Sequence, residues 1–177
     1  INFGGIFDHI VKEKPYDGYR EALLSQFTED AQAGLDVSAT INGGNGARNL
    51  IKAGAGTLVV SSANAYTGAV RVYGGVLRVA NNTATGTTAG GIDIQNGAAL
   101  ELSNSVAVGN EGLTITGMGV SDGGALRNVA SNTSSYAGGV TIGTSGARIN
   151  SDAGGAPTLT GGVVTSLFNN VTFGGAG

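Results

Sequence analysis

The sequence predicts an all-β fold, a parallel β-helix in which one short unit is wound repeatedly about a common axis, with a short N-terminal α-helical cap or insertion. Three observations predict it. An alternating apolar pattern returns with nearly the same glycine punctuation across residues 50 to 177, as in Val70-Arg-Val72-Tyr-Gly-Gly75-Val-Leu77-Arg-Val79 and then Ile92-Asp-Ile94-Gln-Asn-Gly97-Ala-Ala-Leu100-Glu-Leu102. Two series of apolar positions drift together: Val70, Ile92, Leu113 and Val140 are 22, 21 and 27 residues apart, and Leu58, Leu77, Leu100, Leu126 and Ile149 are 19, 23, 26 and 23 apart. The composition suits tight corners and a lean interior, with 33 Gly, two Pro, no Trp, 12% charged and 41% hydrophobic residues. A unit of this length cannot bury its apolar face alone, so it must stack on its neighbours.

The chain divides by charge. Ten of the 21 charged residues lie in the first 36 positions, which sets segment 1–36 apart from a repeat region 37–177. Tyr19, Leu23, Phe27 and Ala31 recur every four residues with Leu24 beside them, Asp17 is a suitable N-cap and Gly34 a suitable stop, so residues 18 to 33 read as one amphipathic helix. Such a helix either covers the open end of a solenoid or binds a partner. From residue 50 onward each unit holds two short strands divided by a Gly-containing corner. An Asn-, Thr-, Ser- and Gly-rich connection follows and is expected to absorb the differences in unit length. Gly supplies positive φ at the corners without strain, and Asn tolerates it. Six or so coils at about 4.8 Å would make a rod on the order of 30 Å long. Ile1-Asn-Phe3-Gly-Gly5 is similar to Val171-Thr-Phe173-Gly-Gly175, which points to a slice of a longer solenoid or a unit that stacks head to tail on another copy.

Composition also bounds function. With no Cys there are no disulfides or thiolate metal sites. A net charge of −3 gives no nucleic-acid footprint, and no apolar run approaches the roughly 20 residues of a membrane helix. Phosphate-loop, HExxH and EF-hand spacings do not occur, and no catalytic, cofactor-binding or metal-binding residue is assigned. His9, the single histidine, lies in the charged segment and reads as a surface residue.

The charges inside the repeats read best as cross-strand pairs. Aligned on the leucine series, the outward position carries Val59, Arg78, Glu101, Arg127 and Asn150; aligned on the first strand, it carries Arg71, Asp93, Thr114 and Thr141. Arg71 is thus expected opposite Asp93, and Arg78 and Arg127 beside Glu101. A polysaccharide-cleaving β-helix would instead need Asp93, Glu101, Glu111 and Asp122 to converge as general acid and base or nucleophile. A binding surface would draw on the segments 80–91 and 130–139, on Thr83, Thr85, Thr87 and Thr88, or on Tyr66, Tyr73 and Tyr136 as sugar-stacking rings; the plainer reading makes these a polar loop and corner packing. Sequons at Asn81, Asn132 and Asn170 matter only in a glycosylating secretory pathway.

Leu50-Ile-Lys52-Ala-Gly54-Ala-Gly56-Thr-Leu58, Asn64-Ala-Tyr66-Thr-Gly68 and Gly75-Val-Leu77-Arg-Val79 together resemble the autotransporter-associated β-strand repeat of bacterial autotransporter passenger domains. The resemblance covers roughly residues 41 to 177 and is most specific over the first 30 of these. It implies a right-handed parallel β-helix exported across the outer membrane, at the cell surface or secreted, whose repeat aids secretion and folding of the passenger. Beside this reading stand an adhesive or carbohydrate-binding surface as the second expectation and a glycan-degrading enzyme as the third. The expected partners are neighbouring coils, of this chain or another copy, and a glycan or host-surface ligand.

Overall fold

The computed structural model describes residues 35–41, 47–165 and 169–176. The helix expected over 18–33 lies outside them. The described chain is a parallel β-solenoid of about 6 turns, without an α-helix among the described residues.

Each turn contributes a strand to a first face and a strand to a second. Leu50–Lys52, Val70–Val72, Ile92–Ile94, Leu113–Gly117, the start of Val140–Ser151 and Val163–Val164 stack in parallel on the first face. On the second lie Leu35–Val37, Thr57–Val60, Gly75–Val79, Ala98–Leu102, Leu126–Asn128, the end of Val140–Ser151 and Val171–Gly175. Strand Val140–Ser151 runs from one face to the other and joins them into a 12-stranded sheet. The second face begins before the charge boundary at 36, since Leu35 pairs with Leu58 and Asp36 with Val59.

The register is the one the spacing predicts. Leu58, Leu77, Leu100, Leu126 and Ile149 are successive partners, as are Leu50, Val70, Ile92, Leu113 and Val140. Both columns are buried and belong to one hydrophobic core with Val60, Val79, Leu102, Ile94 and Ile115. A strand's period of two sends these side chains inward and their neighbours outward, and stacking in register removes the inward ones from water at about 1.5–3 kcal/mol for each large aliphatic residue.

Two glycine columns make the winding tight. Between the faces Gly54, Gly75, Gly97 and Gly146 turn the chain at φ of 72°, 64°, 81° and 72°, where a side chain would be strained. Before the first face, Gly68, Gly90, Gly138 and Gly161 lie so close to the turn below that a Cβ would strike the carbonyl oxygen of Arg48, Gly68, Glu111 and Gly138, respectively.

Two expectations need correction. The connection after the second strand is partly a third wall, in which Ala107–Val108, Ser135–Tyr136 and Thr158–Leu159 pair in parallel. These strands are only two residues long, too short for alternation to reveal. The added length of the 27-residue unit is not in that connection either. It lies at the corner between the first and second faces, where Gly117–Gly124 loops out through a 3-10 turn at Val120–Asp122 with positive φ at Gly117, Gly119, Ser121, Asp122 and Gly124. Gly119 and Gly124 bridge at the neck of the loop, so the excursion returns the chain to register at Leu126.

Candidate functional site

Three groups of polar side chains break the apolar pattern. The first is an ionic ladder on the second face. Arg78, Glu101 and Arg127 occupy partner positions on adjacent strands. Arg78 Nη2 lies 2.6 Å from Glu101 Oε2, Arg127 Nη1 lies 3.1 Å from Glu101 Oε1, and Arg127 Nη2 lies 2.7 Å from Asp152 Oδ2. Each Glu101 oxygen therefore faces a guanidinium, which permits a carboxylate only 2% exposed to remain paired. The Asp152 hydrogen bonds, with Glu101 adding to them, raise the Arg127 pKa further. Arg78–Glu101–Arg127 is the expected alternation; Asp152, which the alignment missed because it follows the strand, completes it. The partnership of Asp93 with Arg71 is not formed. Although their backbones pair, Asp93 accepts from Gln95 Nε2 at 2.9 Å on its own strand end, and no Arg71–Asp93 ion pair occurs among the described residues.

The second group is the buried ammonium of Lys52. This residue stands in the interior column opposite Val72 yet is 1% exposed. Its Nζ donates to Ala53 O at 2.5 Å, Gly54 O at 2.7 Å and Gly74 O at 2.9 Å, so it fastens its own corner to that of the next turn. Burial pulls its pKa down to about 8, and the three carbonyls occupy all three ammonium protons. In the same turn Asn64 accepts from Ile41 N at 2.7 Å and donates to Ala84 O at 2.7 Å, bridging the turns on either side, and Tyr66 Oη donates to Ala84 O at 3.3 Å.

The third group centres on Glu111. Its backbone occupies the place that Gly68, Gly90, Gly138 and Gly161 hold in other turns, and its side chain is 2% exposed. Thr85 Oγ1 donates to Oε2 at 2.6 Å, while Oε1 has no hydrogen-bond partner. Burial pushes the carboxyl pKa up to about 7 against the opposing effect of the Thr85 bond. Tyr66 and Tyr136 feel its charge, and burial first and Glu111 second raise both phenols. The hydroxyls of Tyr136 and Ser134 are buried without partners.

The four carboxylates proposed for glycan cleavage therefore fall apart. Asp93 is on the first face, Glu101 is sealed under two arginines on the second, Glu111 is inside, and Asp122 is exposed in the 3-10 turn. Tyr66 and Tyr136 are core residues, leaving Tyr73, 55% exposed, as the outward ring of the three. Within segment 80–91 Ala84 and Thr85 are buried while Asn82, Thr83, Thr88 and Ala89 are exposed; within 130–139 Ser134, Tyr136 and Gly138 are buried, and Ser135–Tyr136 belongs to the third wall. Of the sequons, Asn132 is committed to structure: it accepts from Ser105 N and donates to the carbonyls of Val129 and Ala130. Among the described residues no group of three or more His, Asp or Glu could share a metal ion, and no helix is long and apolar enough to cross a membrane.

Lys52, the Gly54–Gly56 corner, Asn64, Tyr66, Gly68 and Leu77 all lie within residues 50–79, which match the family described as the passenger-associated transport repeat. Over 89 residues, 50% of this chain, the sequence is 38% identical to the adhesin BmaC autotransporter of Brucella suis biovar 1 (strain 1330), of whose length it spans 2%. No solved structure matches the chain. Residues 50–79 thus form a passenger-associated transport repeat, wound as part of a parallel β-solenoid.

Proposed function

We propose that this chain is a section of an exported bacterial surface protein, a β-helical stalk that holds a rigid rod and displays other elements along it. The observation that carries the reading is the unbroken register of two buried columns through successive turns, with a passenger repeat as one of the units. Polar resources are spent on fastening turn to turn, at Lys52, Asn64 and the Arg78–Glu101–Arg127–Asp152 ladder, and not on a shared cleft. The reading takes the winding as right-handed and gives the repeat a part in secretion and folding, as the resemblance implies. Phe173, in register with Ile149 and 63% exposed, offers an apolar step on which a further turn, of the same chain or of a second copy, can stack.

The test is an in-frame deletion of residues 50–69, one full turn, from the protein as expressed on its native cells, with surface protein and protease resistance measured. The proposal expects less surface protein and faster proteolysis; unchanged surface amount and resistance would reject it. An adhesive surface is the second reading, supported by the likeness to the Brucella adhesin and by the outward Tyr73 ring. Binding to a glycan or matrix array that disappears in Tyr73→Ala while the fold is retained would favour it.

A further inference from the structure

Among the described residues, Glu111 is the least well provided of the buried ionisable groups. Three corner carbonyls meet the buried Lys52, and two arginines meet Glu101. Only the Thr85 hydroxyl reaches Glu111, on one oxygen, and the other oxygen is buried without a partner. A carboxylate offers about four acceptor positions, and leaving them unfilled away from water costs far more for the charged form than for the neutral acid. The groups facing it do not supply positive charge. Its titratable neighbours are the phenols of Tyr66 and Tyr136, and it makes no ion pair among the described residues. The position is also anomalous in sequence, since four other turns place glycine there.

We infer that winding of this solenoid takes up one proton, held on the buried Glu111 carboxyl, so that the rod is held together more firmly in acidic than in neutral surroundings. The sign follows from linkage. The folded carboxyl, at about 7, binds its proton more tightly than the ordinary value of 4.5 allows in the unfolded chain. The stabilising difference is present in full below the unfolded value and is lost as pH rises from about 4.5 to about 7. Beyond that window Glu111 is ionised in both states, and its contribution is constant.

Equilibrium unfolding of the full chain in urea between pH 5 and pH 8, beside Glu111→Gln, tests this. In the unaltered chain the unfolding constant should rise on the order of a hundredfold across that range. In Glu111→Gln most of that rise should vanish, and the variant should exceed the unaltered chain in stability at pH 8. The comparison cancels the titratable groups common to both chains, Lys52 among them, whose pKa of about 8 falls at the top of the range. If Glu111→Gln fails to fold, Glu111→Gly, which places there the residue that four other turns hold, should show the same flattening. The 13C shift of the Glu111 carboxyl in the folded chain gives a second measure: a protonated signal at pH 6 is expected. An ionised signal there, or variants that keep the pH profile of the unaltered chain, would overturn the inference.

Discussion

The passenger-repeat region at 50–79 and the turn that carries Glu111 solve the same problem differently. Both place an ionisable side chain inside a largely apolar solenoid, and both carry a buried tyrosine further along the chain. In the repeat turn every such group is met: Lys52 by three carbonyls, Asn64 by a donor below and an acceptor above, Tyr66 by Ala84 O. Further along, Glu111 has one donor, and the Tyr136 and Ser134 hydroxyls have none. The difference teaches what the repeat motif encodes. Its polar residues are a set of buried ties between consecutive backbones, whereas the later turns tie through other residues, the Arg78–Glu101–Arg127–Asp152 ladder and Asn132 among them, and leave Glu111, Ser134 and Tyr136 incompletely met.

The comparison predicts its own failures. If the two regions differ only in polar ties, the shared column should respond alike in both. Leu77→Ala and Leu126→Ala should each cost about 3–5 kcal/mol, measured by urea unfolding, and a large disparity would mean that the columns are not equivalent. Lys52→Met should come next, at roughly 2–3 kcal/mol, because it fits the column but orphans the carbonyls of Ala53, Gly54 and Gly74. A neutral result would show that those carbonyls find other donors.

The tyrosines give a sharper and smaller contrast. Tyr66→Phe should lose about 0.5–1 kcal/mol with its hydrogen bond. Tyr136→Phe, which removes a buried hydroxyl without a partner, should be neutral or stabilising, and equal losses in thermal melts of the two would erase the distinction. Arg78→Ala should matter least, below about 1 kcal/mol and less in high salt, since its side chain is 41% exposed and Arg127 still pairs with Glu101.

How far the sequence could be read depended on how local the signal was. The two face columns, the glycine corners and the Arg78–Glu101–Arg127 alternation are written in strands three to five residues long with a fixed period, and an alignment of apolar positions recovers them. The third wall is not written that way. Its strands are two residues long, and Val108, Tyr136 and Leu159 lie among polar residues that read as loop. Asp93 illustrates another limit: backbone register places it opposite Arg71, but a side chain is free to choose the nearer Gln95.

The sequence by itself determined the architecture, because an apolar residue recurring at matching positions can leave water only by stacking on its counterpart one turn away. It also determined the repeat, since Lys52, the glycine corner, Asn64 and Tyr66 are identities at fixed spacing. Tertiary structure alone decided the fate of the ionisable residues that face inward. Lys52 and Glu111 are each a single ionisable residue in a mostly apolar stretch. Whether such a group is tied down or left to keep a proton depends on which carbonyls, hydroxyls and guanidinium groups the neighbouring turns bring within 3 Å, and those neighbours lie about 20 or more residues away along the chain.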